Sequence, residues 1–155
     1  MVTTEILRRD EKQLYTIEQV ANRTGFTKRT LRYYEELGLL PPTGRTEGNY
    51  RRYTESDIQR LEQIKKMREL LGFTLTDLRA ILDAEDEREH IKTAYKQETD
   101  AAAKIVRLNR ADELIRRQLQ LVQQKIDGLE QMRAALIAKL ERHEQVQNEL
   151  LNTWQ

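Results

Sequence analysis

Cysteine is absent from the 155 residues, which excludes a disulfide framework, a thiol switch and any thiolate-held metal. Histidine occurs twice, at His90 and His143, with no ligand cluster around either, so neither a metal nor another cofactor is expected. No nucleophile with a partner base and no glycine-rich phosphate loop appears, and the chain is not expected to be an enzyme. No apolar run approaches the roughly 18 residues of a membrane span, and the N-terminus lacks an apolar signal core. A cytoplasmic protein without membrane contact is the expectation. Proline occurs twice, at Pro41 and Pro42, and after Gly72 the only glycine is Gly128. With so little punctuation, the second half should be long helix.

What is abundant is charge, at 34% of residues, too much for one compact globule. The net +1 conceals an uneven split. Residues 1–82 hold 15 Lys and Arg against 12 Asp and Glu, whereas residues 83–155 hold 12 against 14. The basic excess is concentrated between Arg23 and Arg68. A basic patch of this kind is the electrostatic footprint of nucleic-acid binding, although a solvated surface can look the same.

The stretch Thr16–Leu40, TIEQVANRTGFTKRTLRYYEELGLL, reads as two short helices sharing a small core. Ile17, Val20 and Ala21 form one apolar face, and Leu31 with Tyr34 the other. Gly25 can take the left-handed conformation that ends the first helix, and Thr27 can cap the second. That is a helix-turn-helix pattern. If Leu31 and Tyr34 point inward, Lys28, Arg29, Arg32 and Tyr33 project outward, where Arg can pair with guanine and Lys or Tyr can hold phosphate.

Four helix starts use one device, an aromatic residue before a threonine N-cap with an aliphatic residue five positions after the aromatic: Tyr15-Thr16, Phe26-Thr27, Tyr53-Thr54 and Phe73-Thr74. The helices are expected over about 16–24, 27–37, 54–71 and 74–83, with Gly38 and Gly72 as stops. The third should bury Ile58, Leu61, Ile64, Leu70 and Leu71. Between the second and third, TGRTEGNYRRY over 43–53 fits a basic β-hairpin carrying Arg45, Tyr50, Arg51 and Arg52, placed as a wing that grips flanking phosphates. Residues 1–14 read as a loose arm.

Residues 15–82 resemble the DNA-binding domain of the MerR family of bacterial transcription regulators. The resemblance lies in TIEQVANRTGFTKRTLRYYEELGLL, GNYRRYTESDIQRLEQIKKMRELLGF and TLTDLRAIL, and the combination of TLRYYEELGLL with YRRY is its most specific part. It departs at Gly48-Asn49, where the family's turn more often has Asn first. It implies DNA contacts at Arg32, Tyr33, Tyr34, Tyr50, Arg51 and Arg68, to which the residue reading adds Thr27, Lys28, Arg29, Arg45 and Arg52. It also implies an antiparallel pair of long dimerisation helices and distortion of a promoter to suit RNA polymerase.

Beyond Leu82 the acidic run DAEDEREH suggests a helix break, followed by an extra amphipathic helix to about residue 112. Residues 113–155 then read as a coiled-coil helix. Ile115, Leu119, Val122, Ile126, Leu129, Leu136 and Leu140 alternate by three and four, a heptad seam that one helix cannot bury alone. Asp112 and Arg133 interrupt it, and heptads alone do not set its direction.

The fold expected is therefore mainly α: a winged helix-turn-helix domain over 15–83, a linker and extra helix over 84–112, and a long coiled-coil helix. The function expected is a sequence-specific, homodimeric transcription regulator of double-stranded DNA acting on a two-fold symmetric operator. An architectural DNA-binding protein with little base specificity is the alternative. Tyr95 and Trp154 are the only aromatics after Phe73, too few for an aromatic ligand cage, and the effector is left unassigned.

Overall fold

The computed structural model describes residues 13–41 and 52–155. The chain divides into two compact units, residues 1–82 and 83–155. In the first, strand β1 (Tyr15–Thr16) leads into α1 (Ile17–Thr24) and α2 (Lys28–Glu36), and β2 (Arg52–Tyr53) leads into α3 (Glu55–Lys65). A π-helical turn (Lys66–Leu70) follows, then α4 (Leu75–Gln97) and α5 (Ala101–Thr153).

Threonine capping sets the helix starts as the sequence suggests. The hydroxyls of Thr16, Thr27, Thr54 and Thr74 accept from the backbone N–H three residues on, at 3.1–3.2 Å. Gln19, Asp57 and Asp77 answer from the third helical position by accepting from the cap's own N–H, so three of the four starts are reciprocal boxes. At the other ends Gly25 (φ 79°), Gly38 (φ 74°) and Gly72 (φ 69°) are left-handed. After α2, Leu39 N–H reaches Tyr34 O and Gly38 N–H reaches Glu35 O, the Schellman arrangement that turns Leu39 and Leu40 back into the core.

That core holds Val20, Leu31, Tyr34, Leu39, Tyr53, Ile58, Leu61, Ile64 and Leu78, all buried. Of the five residues expected on the inner face of the third helix, Ile58, Leu61 and Ile64 are buried, but Leu70 and Leu71 are exposed, Leu70 by 72%. Met67 takes an inward place instead. The helix does not run straight to residue 71. It widens at Lys66–Leu70, where Leu71 N–H reaches back five residues to Lys66 O, and the changed register carries the two leucines outward.

Only residues 52 and 53 of the expected hairpin lie among the described residues. They pair antiparallel with Tyr15 and Thr16, in the register Tyr15 to Tyr53 and Thr16 to Arg52, a long-range pairing that the sequence reading did not foresee.

The acidic run is not a break. Helix α4 passes unbroken through 83–90, and the chain turns at 98–100 instead. There the Glu98 carboxylate accepts from Thr99 and Asp100 N–H, and Asp100 caps α5 by accepting from Ala103 N–H. The boundary expected near 112 falls inside α5, which also runs through Gly128 without a stop. Within the second unit, the end of α4 and the start of α5 form a helical hairpin. Glu87 takes a two-pronged bond from Arg110 at 2.8 and 3.2 Å, Glu98 pairs with Arg107, and Lys104 lies 4.8 Å from the Tyr95 ring centre. Ala84 and Leu114 are buried. No helix among the described residues is long and apolar enough to cross a membrane.

Candidate nucleic-acid interface

The second helix of the pair, α2, divides its residues as the spacing requires. Leu31 is fully buried and Tyr34 is 5% exposed, while Lys28, Arg29, Arg32 and Tyr33 face outward, Tyr33 by 48%. Two side chains hold the pair from α3. Lys65 donates to Thr24 O at 2.8 Å, satisfying a carbonyl at the end of α1, and Arg60 donates to Leu39 O. Lys65 also crowds the turn, since a Cβ on Gly25 would stand 3.0 Å from its Nζ at a φ that already favours glycine.

Cations in this unit are not equivalent. Arg23 makes a fork to Glu55 at 2.8 and 2.9 Å and lies over the Tyr15 ring, so it ties α1 to the start of α3. That hydrogen bond holds the Glu55 carboxyl below the usual carboxylate range. Lys28 bonds Glu18 at 2.8 Å. The Thr27 hydroxyl accepts from Thr30 N–H and is shared with the Thr30 hydroxyl, a capping role that its inclusion among contact residues did not anticipate. Arg29 and Arg32 are exposed, without an ion pair among the described residues.

Tyr34, which the resemblance puts among the DNA contacts, is a core side chain whose ring meets Phe26 edge-on at 5.5 Å. Burial pushes its phenol above the ordinary range, and the positive charge of Arg68 opposes that push. Arg68 and Tyr33 are thus brought to the same corner, with Tyr34 as the floor beneath them. The π-turn carries Arg68 there, outward and exposed. Arg52 is half-buried in β2, and Arg45, Tyr50 and Arg51 lie outside the described residues. The result is an exposed face of guanidinium and phenol groups on the second helix of a helix-turn-helix, flanked by one more guanidinium from a separate element.

The sequence profile of the MerR HTH family regulatory protein matches residues 15–85. Over 110 residues, 71% of this chain and 79% of the other, the sequence is 39% identical to the HTH-type transcriptional regulator YfmP of Bacillus subtilis (strain 168). The chain belongs to the MerR family. It is 42% identical over 77 residues to the HTH-type transcriptional regulator ZntR of Escherichia coli (strain K12), covering 50% of this chain and 54% of ZntR. With the transcriptional activator TipA of Streptomyces coelicolor it shares 43% over 84 residues, 53% of this chain but 33% of TipA. This MerR-family chain therefore spans most of the first relative and half or less of the lengths of the other two. Among solved structures, a MerR family transcriptional regulator from Listeria monocytogenes superposes over 89% of this chain and 95% of that one, with a TM-score of 0.56 at 23% identity, a shared fold. As a member of this family the protein is a DNA-binding transcription regulator and not an enzyme.

Proposed function

We propose that the protein acts in the cytoplasm as a homodimer on a two-fold related promoter operator, each copy placing α2 in a major groove. One observation carries the reading: Arg29, Arg32 and Tyr33 stand outward on α2 while Leu31 and Tyr34 on its other side are buried, so the face is held rigid by the core. Arg32 is the base reader in this arrangement, and Arg29 and Tyr33 supplement it. Lys28 reaches DNA only by leaving Glu18, which makes it the weaker contributor. Arg68 grips phosphate beside α2, and Arg45, Tyr50, Arg51 and Arg52 act as the wing on the flanking backbone.

Dimerisation is supported by α5, where Ile115, Leu119, Val122, Ile126, Leu129, Leu136 and Leu140 are all exposed along one stripe. A stripe of that length is buried most economically by a second copy. Two α2 helices fixed on one dimer then bend or twist the promoter between them, the deformation that lets RNA polymerase engage it.

Selection of bound duplexes from a random DNA pool, with the winners' affinities read at two salt concentrations, tests the reading. Enrichment of a two-fold symmetric sequence bound at least about 10³ above background is expected. Binding without enrichment that simply falls with salt would replace it with an architectural role.

A further inference from the structure

We propose that α5 pairs antiparallel with α5 of a second copy, crossing near Gln123, and that reciprocal pairing of Asp112 with Arg133 fixes this direction and register. The proposal rests on the dimer reading above and adds to it which residues align.

Leu119 and Ile126 mark the a positions of the heptad seam, and Val122 and Leu129 the d positions, which puts both Asp112 and Arg133 at a as well. Both are exposed on α5. The ion pairs along this part of α5 use Arg110, Glu113 and Arg117, and among the described residues neither Asp112 nor Arg133 has one. Two unpaired charges of opposite sign thus interrupt an otherwise aliphatic seam, on either side of its middle.

A parallel, in-register dimer stacks Asp112 on Asp112 and Arg133 on Arg133 in the seam, which sets like charges against each other in two layers. Antiparallel pairing removes both conflicts. With Leu119 opposite Leu129 of the other copy and Val122 opposite Ile126, Asp112 and the other copy's Arg133 fall three residues apart along the axis. At roughly 1.5 Å per residue that is about 4.5 Å, within the reach of an arginine side chain. The same register sets Arg116, flanking the seam at e, beside Glu130 of the other copy, also at e. Sliding by one heptad toward the N-terminal half puts Arg116 beside Gln123 and Glu130 beside Asn109, and the flanking pair is lost. One alignment therefore satisfies Asp112, Arg116, Glu130 and Arg133 together, twice over by symmetry.

Because the chain lacks cysteine, introduced thiols are unambiguous reporters. Leu119→Cys and Leu129→Cys are prepared separately, one with a size tag, then mixed and oxidised mildly, with helicity checked by circular dichroism. The expected result is a tagged–untagged disulfide in the mixture and no covalent dimer from either variant alone. Self-linking of Leu119→Cys would establish the parallel direction and overturn the proposal. So would the absence of cross-links in a mixture that sedimentation shows to be dimeric, which rejects the register alone. A wild-type chain that sediments as a monomer at every concentration rejects the dimer reading itself. As a second measurement, Asp112→Arg and Arg133→Asp should each weaken dimerisation about tenfold or more, and Asp112→Arg/Arg133→Asp should restore it. A double variant no tighter than the single ones overturns the ion pair.

Discussion

Two arginines of equal charge have different work in this interface. Arg32 stands on the rigid outer face of α2, whereas Arg52 belongs to β2, where its backbone is fixed by pairing with Thr16. Arg32→Ala is expected to cost about 1 to 3 kcal/mol on the selected operator and to relax base preference at one position. Arg52→Ala should weaken operator and scrambled DNA alike and reduce the salt slope by about one. Competition binding on the two duplexes separates them, and equal losses on both for Arg32→Ala would remove it from base reading. At this scale the sequence was informative wherever the cause is local. Caps depend on residues three apart, and inward or outward position on α2 depends on helical period, so both could be read directly. The partners of Arg23, Lys28 and Lys65 could not, because Glu55, Glu18 and the Thr24 carbonyl reach them only through the fold. A charged residue in a basic stretch looks the same in sequence whether it ties helices together or waits for DNA.

Among the elements, those that escaped the sequence reading are the ones held by distant or competing forces. Two-residue strands leave no periodicity, so the β1–β2 pairing had no signal. The acidic run was read as a break because like charges oppose a helix, yet Arg110 across the hairpin holds Glu87, and Thr99-Asp100 before three alanines supplies the real start of α5. That arrangement is acid-sensitive. Arg110 holds the Glu87 and Glu113 carboxyls low, and backbone N–H bonds led by Asp100 do the same for Glu98. Depressed folded-state values mean that the stabilisation is complete above the ordinary glutamate range and is lost as pH falls through the lowered values. Thermal melts should therefore drop on acidification below that range, and Glu87→Gln should lower the neutral-pH melt while flattening the acid dependence. An acid profile unchanged in Glu87→Gln would exclude the Arg110 pair as its source. The long helix offers the opposite case at Gly128, where an added Cβ meets nothing within 4 Å. Gly128→Ala should stabilise α5 by about 0.5 to 1 kcal/mol, seen as a shift of the denaturation midpoint at fixed protein concentration.

For the whole molecule, the question is what the second unit adds to the first. A single α2 face offers few base contacts, and one copy alone has little to distinguish an operator from bulk DNA. Joining two copies through α5 makes the second contact intramolecular, and effective concentrations of that kind raise affinity by roughly 10² to 10⁴ without any new contact. The seam and the recognition face are therefore separable by mutation. Val122→Glu sets two carboxylates close together at the middle of the seam while lying in residues 83–155, apart from the unit that carries α2. It should turn the dimer into a monomer in sedimentation and reduce affinity for the full operator by about 10² or more. Affinity for an isolated half-site should stay at the wild-type level, because Arg29, Arg32 and Tyr33 keep the core beneath them. Anisotropy titrations on full and half sites read both quantities in one experiment. A verified monomer that still binds the full operator as tightly as wild type would show that recognition does not depend on α5, and the long helix would then need another role.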